Sequence, residues 1–573
     1  MYIRNLGRVV LGLSALSLPL VTHSAVTNKS AAANKADLTI QRVLKSPSSK
    51  GWSAVIVRTE GAPTAAQEAA ITALGGDIYR HLPIINSLAV RIPSRNMASL
   101  ALLSFVSRLS ADMEVKKTDE FTVGHSGADV AWSYGLTGTG VGVALLDSGV
   151  SSWHPDLFGG NSSRVVQGLN LVADGKSGDP CGHGTHVAGI LAGNGAASGG
   201  AFSYRTFKGI APTAKIVSVR VLDKQGSGTV SDSIAGIQWV VANKAAQNIR
   251  VLNLSLGHSV GESYKTDPLC QAVENAWKAG IVVVCAAGNG GRDDNTPVLG
   301  RSNEGYGTNY GSIQSPANDP YVITVGAVKN TVLNQRLADP IATYSSRGPT
   351  RLDFVMKPDI VAPGNRVISL NADFGSNYLN QSYGAINSLP WFSYLNKTTS
   401  TDASWVYFYL SGTSMAAPVV SGAAALLLQN DSSLTPDAIK ARLMLSADKL
   451  GSDSTAYGAG LINIPAALSN MAKPTVYALT PTVKLNSKKT QVRVDPSQAI
   501  WGVTTGGTQA IWGVQAIWGV QAIWGTQAIW GTSSPYLASS FMFTGDPIWN
   551  DQAIWGTTSS AVDLTSTAIN GEN

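Results

Sequence analysis

The chain has little charge, few cysteines and no long apolar run beyond its first 25 residues. Charged residues are 14% of its 573 residues and apolar residues 44%. So little charge is unusual for a cytosolic protein, and that much apolar mass can bury a large core. The formal charge of +6 is spread thinly, with no lysine or arginine block. That leaves no electrostatic footprint for nucleic acid, which is excluded as a partner. Three cysteines, Cys181, Cys270 and Cys285, are too few for a disulfide framework. Either Cys270 and Cys285 form one bridge or all three are buried thiols, and spacing does not choose between them. No later segment has the roughly 20 consecutive apolar residues that a membrane-spanning helix needs.

What the N-terminus does have is an address. Arg4 and Arg8 precede an apolar stretch over 9–21, and small residues follow at Thr22, Ser24 and Ala25. This pattern predicts a secretory signal peptide over 1–25, cut after Ser24 or Ala25. The expected location is extracellular, with passage through a periplasm before release.

Composition then divides the chain. Residues 26–50 are rich in Lys, Ser, Ala and Asn and read as a linker. Strand patterns at 52–59, within 77–92 and at 109–115, with helical patterns at 65–74 and 93–107, give the order β-α-β-β-α-β. That order predicts a small ferredoxin-like α+β sandwich over about 50–115. From 119 to 472, apolar runs at 142–146, 216–221, 251–255, 281–286 and 321–325 alternate with helical patterns such as 232–245 and 268–279. Such alternation predicts an α/β domain of three layers around a mostly parallel sheet. Catalytic groups in such folds sit where loops leave the carboxyl ends of strands.

The segment 473–573 is a tail of different character. The pentapeptide Gln-Ala-Ile-Trp-Gly begins at Gln498, Gln509, Gln515, Gln521, Gln527 and Gln552. Where copies follow directly, the period is six. An even period keeps Trp on one face of a strand, whereas in a helix the Trp stripe would spiral, so β-structure is expected. The tail's expected partner is either the catalytic domain or a surface polymer.

Three stretches carry the chemistry. Val141-Gly-Val-Ala-Leu-Leu-Asp147-Ser-Gly ends an apolar strand on a carboxylate. Gly182-His183-Gly-Thr-His186-Val-Ala-Gly189 places an imidazole between glycines, and Ser411-Gly-Thr-Ser414-Met-Ala-Ala-Pro418 places a serine before an Ala-rich helix. A serine hydroxyl needs a base within hydrogen-bond reach, and the base needs a third group to fix its tautomer. Histidine suits the base role and a buried aspartate the third. The chain order Asp, His, Ser differs from the α/β-hydrolase and chymotrypsin orders. Ala416 also stands where a nucleophile elbow would have its second glycine.

At these residues the chain resembles the subtilisin-like serine proteases. The resemblance covers about 120–470 and is nearest to the AprX-like branch. It runs through Lys208-Gly-Ile-Ala-Pro212, Asp267-Pro-Leu-Cys-Gln-Ala272, Ser345-Ser-Arg-Gly-Pro-Thr350 and Lys357-Pro-Asp-Ile-Val-Ala-Pro-Gly364. It implies a subtilisin-like fold and a serine endopeptidase with Ser414 as nucleophile, His183 as base and Asp147 as orienter. His186 is expected to be structural. Asn289, in Ala286-Ala-Gly-Asn289, is the implied oxyanion donor beside the Ser414 N–H. Gly226, Ser227, Gly228, Ser255, Leu256 and Gly257 are the implied edges for an extended polypeptide substrate. Ala286, Ala287 and Gly288 would wall the first specificity pocket.

The unit within 26–118 is then expected to be a propeptide, an intramolecular inhibitor and folding aid released by self-cleavage near 115–125. Hydrolysis needs no cofactor. Calcium is not assigned to the loop 193–204, which carries no carboxylate of the kind calcium favours, and a structural calcium site elsewhere stays open without assignable residues. Two further departures are Val419, where the family commonly has His, and a long stretch over 371–409, expected to be a surface excursion near the cleft. The alternative to an enzyme is a dead subtilase scaffold acting as a secreted binding or surface protein. Its signature would be a missing triad or oxyanion residue, and none is missing.

Overall fold

The computed structural model describes residues 32–45, 51–112, 121–200, 202–292, 305, 307–329, 339–395, 403–451, 453–485, 492–494, 503–504, 507–508 and 572. The chain forms two units, Met1–Lys116 and Lys117–Asn573. The expected signal peptide lies outside the described residues, as does the part 115–120 of the expected processing region 115–125.

The first unit runs α1 (Leu38–Lys45), β1 (Trp52–Thr59), α2 (Ala65–Ala73), β2 (Asp77–Leu82), β3 (Ser87–Pro93), α3 (Met97–Leu102) and β4 (Val106–Ala111). Its antiparallel sheet has the order β2-β3-β1-β4. Alternation along β1 and β3 buries Val55, Val57, Leu88, Val90 and Ile92 against Ile71 of α2 and Leu100 of α3. Thr64 starts α2 with a reciprocal cap to Gln67. These elements give the ferredoxin-like order that the pattern predicts.

Two details of this unit depart from the expectation. Residues 26–50 are not a linker throughout, because α1 lies within them and Ala36 and Ile40 are buried. Asp37 explains this. Its carboxylate accepts from the Ile40 N–H at 2.8 Å and from the Ala111 N–H at 2.7 Å, so it caps the helix and stitches it to β4. The second departure is a shift of boundaries. The last strand is Val106–Ala111 rather than 109–115, and the helix before it is shorter than 93–107.

The second unit is built on β5 (Gly142–Asp147), β6 (Val165–Asn170), α4 (His183–Ala192), β7 (Lys215–Arg220), α5 (Val230–Asn243), β8 (Ile249–Leu254), α6 (Pro268–Lys278), β9 (Val282–Ala286), β10 (Ile323–Val328) and β11 (Ile360–Pro363). After them come β12 (Val367–Leu370), α7 (Tyr378–Asn387), β13 (Ser388–Pro390), β14 (Ala403–Leu410), α8 (Thr413–Asn430) and α9 (Pro436–Leu445). Seven strands form one sheet in the order β11-β10-β9-β8-β5-β7-β6, and every neighbouring pair is parallel.

A parallel sheet covered on both faces needs strands that are apolar throughout. All six residues of β5, and all of β9 and β10, are buried. The strand order reverses at β5. The chain goes out to β6 at the edge, returns to β7 beside β5, and then crosses to β8 on the other side. The carboxyl ends of β5 and β8 therefore flank the switch point where such sheets bind ligands. Helix α8 lies buried over 413–428 and packs on β8 to β11 and on α4.

The stretch 371–409 is not a surface excursion. It supplies α7, β13 and β14, and β14 pairs with β12 and β13 in a second sheet. Its Tyr394 and Tyr407 are buried, with ring centroids 5.4 Å apart, and Phe207 sits 4.9 Å from Tyr407. Residues 473–485, grouped with the tail by composition, pack on this unit. The Thr480 N–H donates to Pro320 and the Met356 N–H to Pro481, both at 2.9 Å. The repeats lie outside the described residues, apart from a short pairing of Val503–Thr504 with Gly507–Thr508.

All three cysteines are free and buried, which resolves the choice in favour of thiols. Desolvation raises the pKa of each. A thiol-specific chromogenic reagent should therefore find no reactive thiol in the native protein and three after denaturation. Fewer than three under denaturing, non-reducing conditions would reveal a bridge.

Candidate active site

Asp147 is the last residue of β5, so its side chain emerges at the switch point. The Ser148 N–H donates to its Oδ1 at 2.7 Å. His183 opens α4, and its Nδ1 lies 2.7 Å from the same Oδ1, with both side chains buried. A proton on Nδ1 shared with the carboxylate leaves Nε2 as the basic nitrogen.

Close backbone packing makes this pairing achievable. A Cβ on Gly184 would lie 2.0 Å from the Gly149 carbonyl oxygen, so only glycine lets α4 approach the end of β5. Gly182 offers no side chain to cap α4. The cap comes instead from Asp179, which sequence reading passed over. Its Oδ1 accepts from the Gly182 N–H and the Ser148 hydroxyl at 2.8 Å each, and its Oδ2 accepts from the Thr185 N–H at 2.7 Å. Ser148 in turn accepts from the Gly184 N–H at 3.0 Å. One buried carboxylate thus fixes both the residue after Asp147 and the turn that carries His183. Desolvation raises the Asp179 pKa, against the hydrogen bonds that lower it.

The second sheet supports α4 from its other side. His186 Nε2 lies 3.0 Å from the Phe408 carbonyl on β14, and the Ser369 hydroxyl donates to the His186 carbonyl at 2.7 Å. Burial pushes the His186 pKa down to about 3, so the ring is neutral. Its role is structural, as expected. Asn377 belongs to the same support. Its carboxamide packs against Gly182, where a Cβ would come within 2.4 Å of Oδ1.

Ser414 is the second residue of α8, where helix geometry leaves its N–H without an intrahelical acceptor. Pro418 sits inside this helix and lacks the N–H that would bond to the Ser414 carbonyl. The Ser255 hydroxyl replaces it, donating to that carbonyl at 2.9 Å. Ser255 is held by Asn253 Nδ2 at 2.9 Å, and Asn253 Oδ1 accepts from Ser421 at 2.8 Å. The Ser414 hydroxyl itself lies 3.2 Å from the Ser255 carbonyl oxygen and donates to it.

Asn289 follows β9. Its Oδ1 accepts from the Thr413 N–H at 2.9 Å and the Thr413 hydroxyl at 3.1 Å. With Oδ1 so used, Nδ2 is the group left to donate, beside the residue that precedes Ser414.

The other expected residues fall into two groups. Gly226, Ser227 and Gly228 form a tight turn hung from Asp147: Val221 N–H donates to the Asp147 carbonyl at 2.9 Å, Asp223 N–H to Ser227 at 2.7 Å, and Leu222 bridges Gly228. Ser255, Leu256 and Gly257 follow β8, and Ala286, Ala287 and Gly288 run from the last residue of the adjacent β9. Gln314 stands between them and was not singled out in the sequence. A Cβ on Gly288 would lie 2.8 Å from Gln314 Cγ, and one on Gly257 3.1 Å from Gln314 Oε1. A cavity of about 410 Å³ is lined by Ser151, Trp153, Arg220 and Asp373 among others, and by neither His183 nor Ser414. Among the described residues no group of three or more His, Cys, Asp or Glu side chains is arranged to hold a metal, and no helix is long and apolar enough to cross a membrane.

A carboxylate behind an imidazole, a serine at a helix N-terminus and a fixed carboxamide beside it are equipment for nucleophilic acyl transfer on a parallel α/β scaffold. Residues 138–460 match the subtilase family, and the chain belongs to it. By family it is a serine-type endopeptidase. It is 38% identical to serine protease AprX of Bacillus subtilis over 57% of this chain and 66% of that protein. It is 32% identical to subtilisin E of Bacillus subtilis over 79% of this chain and 96% of that protein. A crystal structure of a cold adapted subtilisin-like serine proteinase aligns at 29% identity over 57% of this chain and 89% of that one, with a TM-score of 0.39.

Two predictions follow from the support of α4. Asp179→Ala should lower stability by about 1–2 kcal/mol, as loss of a cap does, and reduce kcat more than it raises KM. A denaturant titration and steady-state kinetics check both. The second concerns pH. His186 has a folded pKa of about 3 against an ordinary 6.5, so the folded state favours the neutral ring. Its stabilising effect is present above pH 6.5 and is lost as pH falls from there toward 3. The melting temperature should therefore decline across that window.

Proposed function

We propose that the chain is an exported precursor that hydrolyses polypeptides through an acyl-enzyme on Ser414. The observation that carries this reading is the 2.7 Å contact of His183 Nδ1 with Asp147 at the sheet's switch point. In the resting state the Ser414 hydroxyl donates to Ser255. On substrate binding it turns to His183 Nε2, which takes its proton as Oγ attacks the peptide carbonyl. Asp147 holds the ring and stabilises the imidazolium. The tetrahedral oxygen takes hydrogen bonds from Asn289 Nδ2 and the Ser414 N–H, helped by the N-terminal dipole of α8. His183 then protonates the leaving amine; a water that gives its proton to the same base attacks the acyl carbonyl, the bond to Ser414 Oγ breaks with return of that proton to Oγ, and the acid is freed. Every step uses side chains and backbone of this chain.

The substrate lies as an extended strand between Gly226–Gly228 on one side and Ser255–Gly257 on the other, paired through main-chain groups. Ala286, Ala287 and Gly288 form a small neutral wall of the first specificity pocket, and Gln314 fills part of the space between walls. Broad specificity for small or medium side chains fits these groups. The ferredoxin-like unit is read as the inhibitor and folding aid, and the first 25 residues as the export signal.

Purified protein should digest casein. Ser414→Ala should reduce kcat by about a millionfold, and Asn289→Ala by about a hundred- to a thousandfold, magnitudes known from subtilisin itself. Casein hydrolysis undiminished in Ser414→Ala would sink the assignment. Gln314→Ala should raise kcat/KM for a phenylalanine over an alanine at the cleaved position by about tenfold. N-terminal sequencing of protein from culture medium should find a start near 115–125. A start directly after Ser24 or Ala25 would contradict the precursor reading.

A further inference from the structure

Glu572 lies well beyond the last repeat, which ends at Gly556. Surface-exposed acid is the ordinary state of such a residue, yet Glu572 is 1% exposed and belongs to the second unit. Its carboxylate meets a set of donors. Arg292 Nη1 lies 2.9 Å from Oε1, and the Thr343 N–H reaches Oε1 at 3.1 Å and Oε2 at 3.0 Å. The Thr343 hydroxyl also donates to Oε1, and Lys329 Nζ is 3.6 Å from Oε2. Arg292 and Lys329 are themselves buried. A carboxylate taken out of water among cations and a backbone N–H is held by charge-assisted hydrogen bonds, which offset its desolvation.

The backbone of Glu572 is gripped as well. Its N–H donates to Asn365 Oδ1 at 2.7 Å, and its carbonyl accepts from Asn365 Nδ2 at 2.6 Å. One carboxamide thus satisfies both main-chain groups of one residue. Side chain and backbone together specify a glutamate in a peptide, not a free anion.

The socket adjoins the catalytic segments. Arg292 is three residues after Asn289. Asn365 follows Gly364, whose carbonyl accepts the Gly412 N–H at 2.8 Å, two residues before Ser414.

We propose that Arg292, Lys329, Thr343 and Asn365 form a binding site for a glutamate-bearing peptide segment, with the chain's own Glu572 as resident ligand. The tail is then fastened to the peptidase unit at both ends: through 473–485 before the repeats and through Glu572 after them. A cut within the tail leaves its far end attached.

The test uses the full chain carrying Ser414→Ala, which stops self-digestion, with a recognition site for a sequence-specific protease inserted after Ser534. After cutting, gel filtration should show the fragment from 535 onward co-eluting with the remainder. With Glu572→Ala or Glu572→Gln added, co-elution should be lost. On the protein that keeps Glu572, excess synthetic peptide of residues 564–573 should displace the fragment, and the same peptide with alanine at 572 should not. Separation of the fragment while Glu572 is intact, retention of the alanine variant's fragment, or equal displacement by both peptides would each overturn the site.

Discussion

The bond between Asp147 and His183 is the constraint on which the rest of the second unit depends. It requires a carboxylate at the end of a fully buried strand and an imidazole at the start of a helix, brought within 2.7 Å. Neither group can drift, because both are out of water. The sheet supplies the position of Asp147, since the reversal of strand order at β5 opens the crevice there. Glycines at 149 and 184 supply the approach, and Asp179 supplies the hydrogen bonds that neither glycine can make. Asn377 and Phe408 contact Gly182 and His186, so a stretch that looks decorative braces the helix start that carries His183.

The serine is positioned by a different device. A proline within the first two turns of α8 frees the carbonyl of Ser414, and Ser255 fills the gap. Ser255 is also the residue whose carbonyl receives the Ser414 hydroxyl. Ser414 is therefore tied at two points to Ser255, just past the end of β8. Asn289 is tied to Thr413 and so to the same helix start. Movement of α8 would carry Ser414 and Asn289 together, which keeps their mutual geometry.

Much of this was legible in the sequence because the strands are continuous apolar runs bounded by glycine, and Asp147, His183 and Ser414 each stand in a local motif. β5 is an example: five apolar or small residues lead to Asp147. What was not legible depends on contacts distant in sequence. Asp179 reads as a turn residue until its three donors are seen. Asn377 and Gln314 sit in polar loops, and their meaning comes from the glycines they face. α1 was hidden by a linker-like composition, and only the reach of Asp37 to Ala111 makes it part of the core. Residues 473–485 look like the start of the tail because their pairing with Pro320 and Met356 leaves no periodic mark. Glu572 is the extreme case, an acid among polar neighbours whose socket is built from four separate segments.

Mapping the site of a serine-directed phosphonyl fluoride tests most directly whether Ser414 is the group that attacks substrate. The casein-digesting enzyme is inactivated, cleaved, and its peptides weighed. The account predicts one phosphonyl adduct per inactivated molecule, on Ser414 in the peptide containing Thr413-Ser414-Met415. Inactivation with the adduct on another residue, or complete labelling of Ser414 with activity retained, would contradict it.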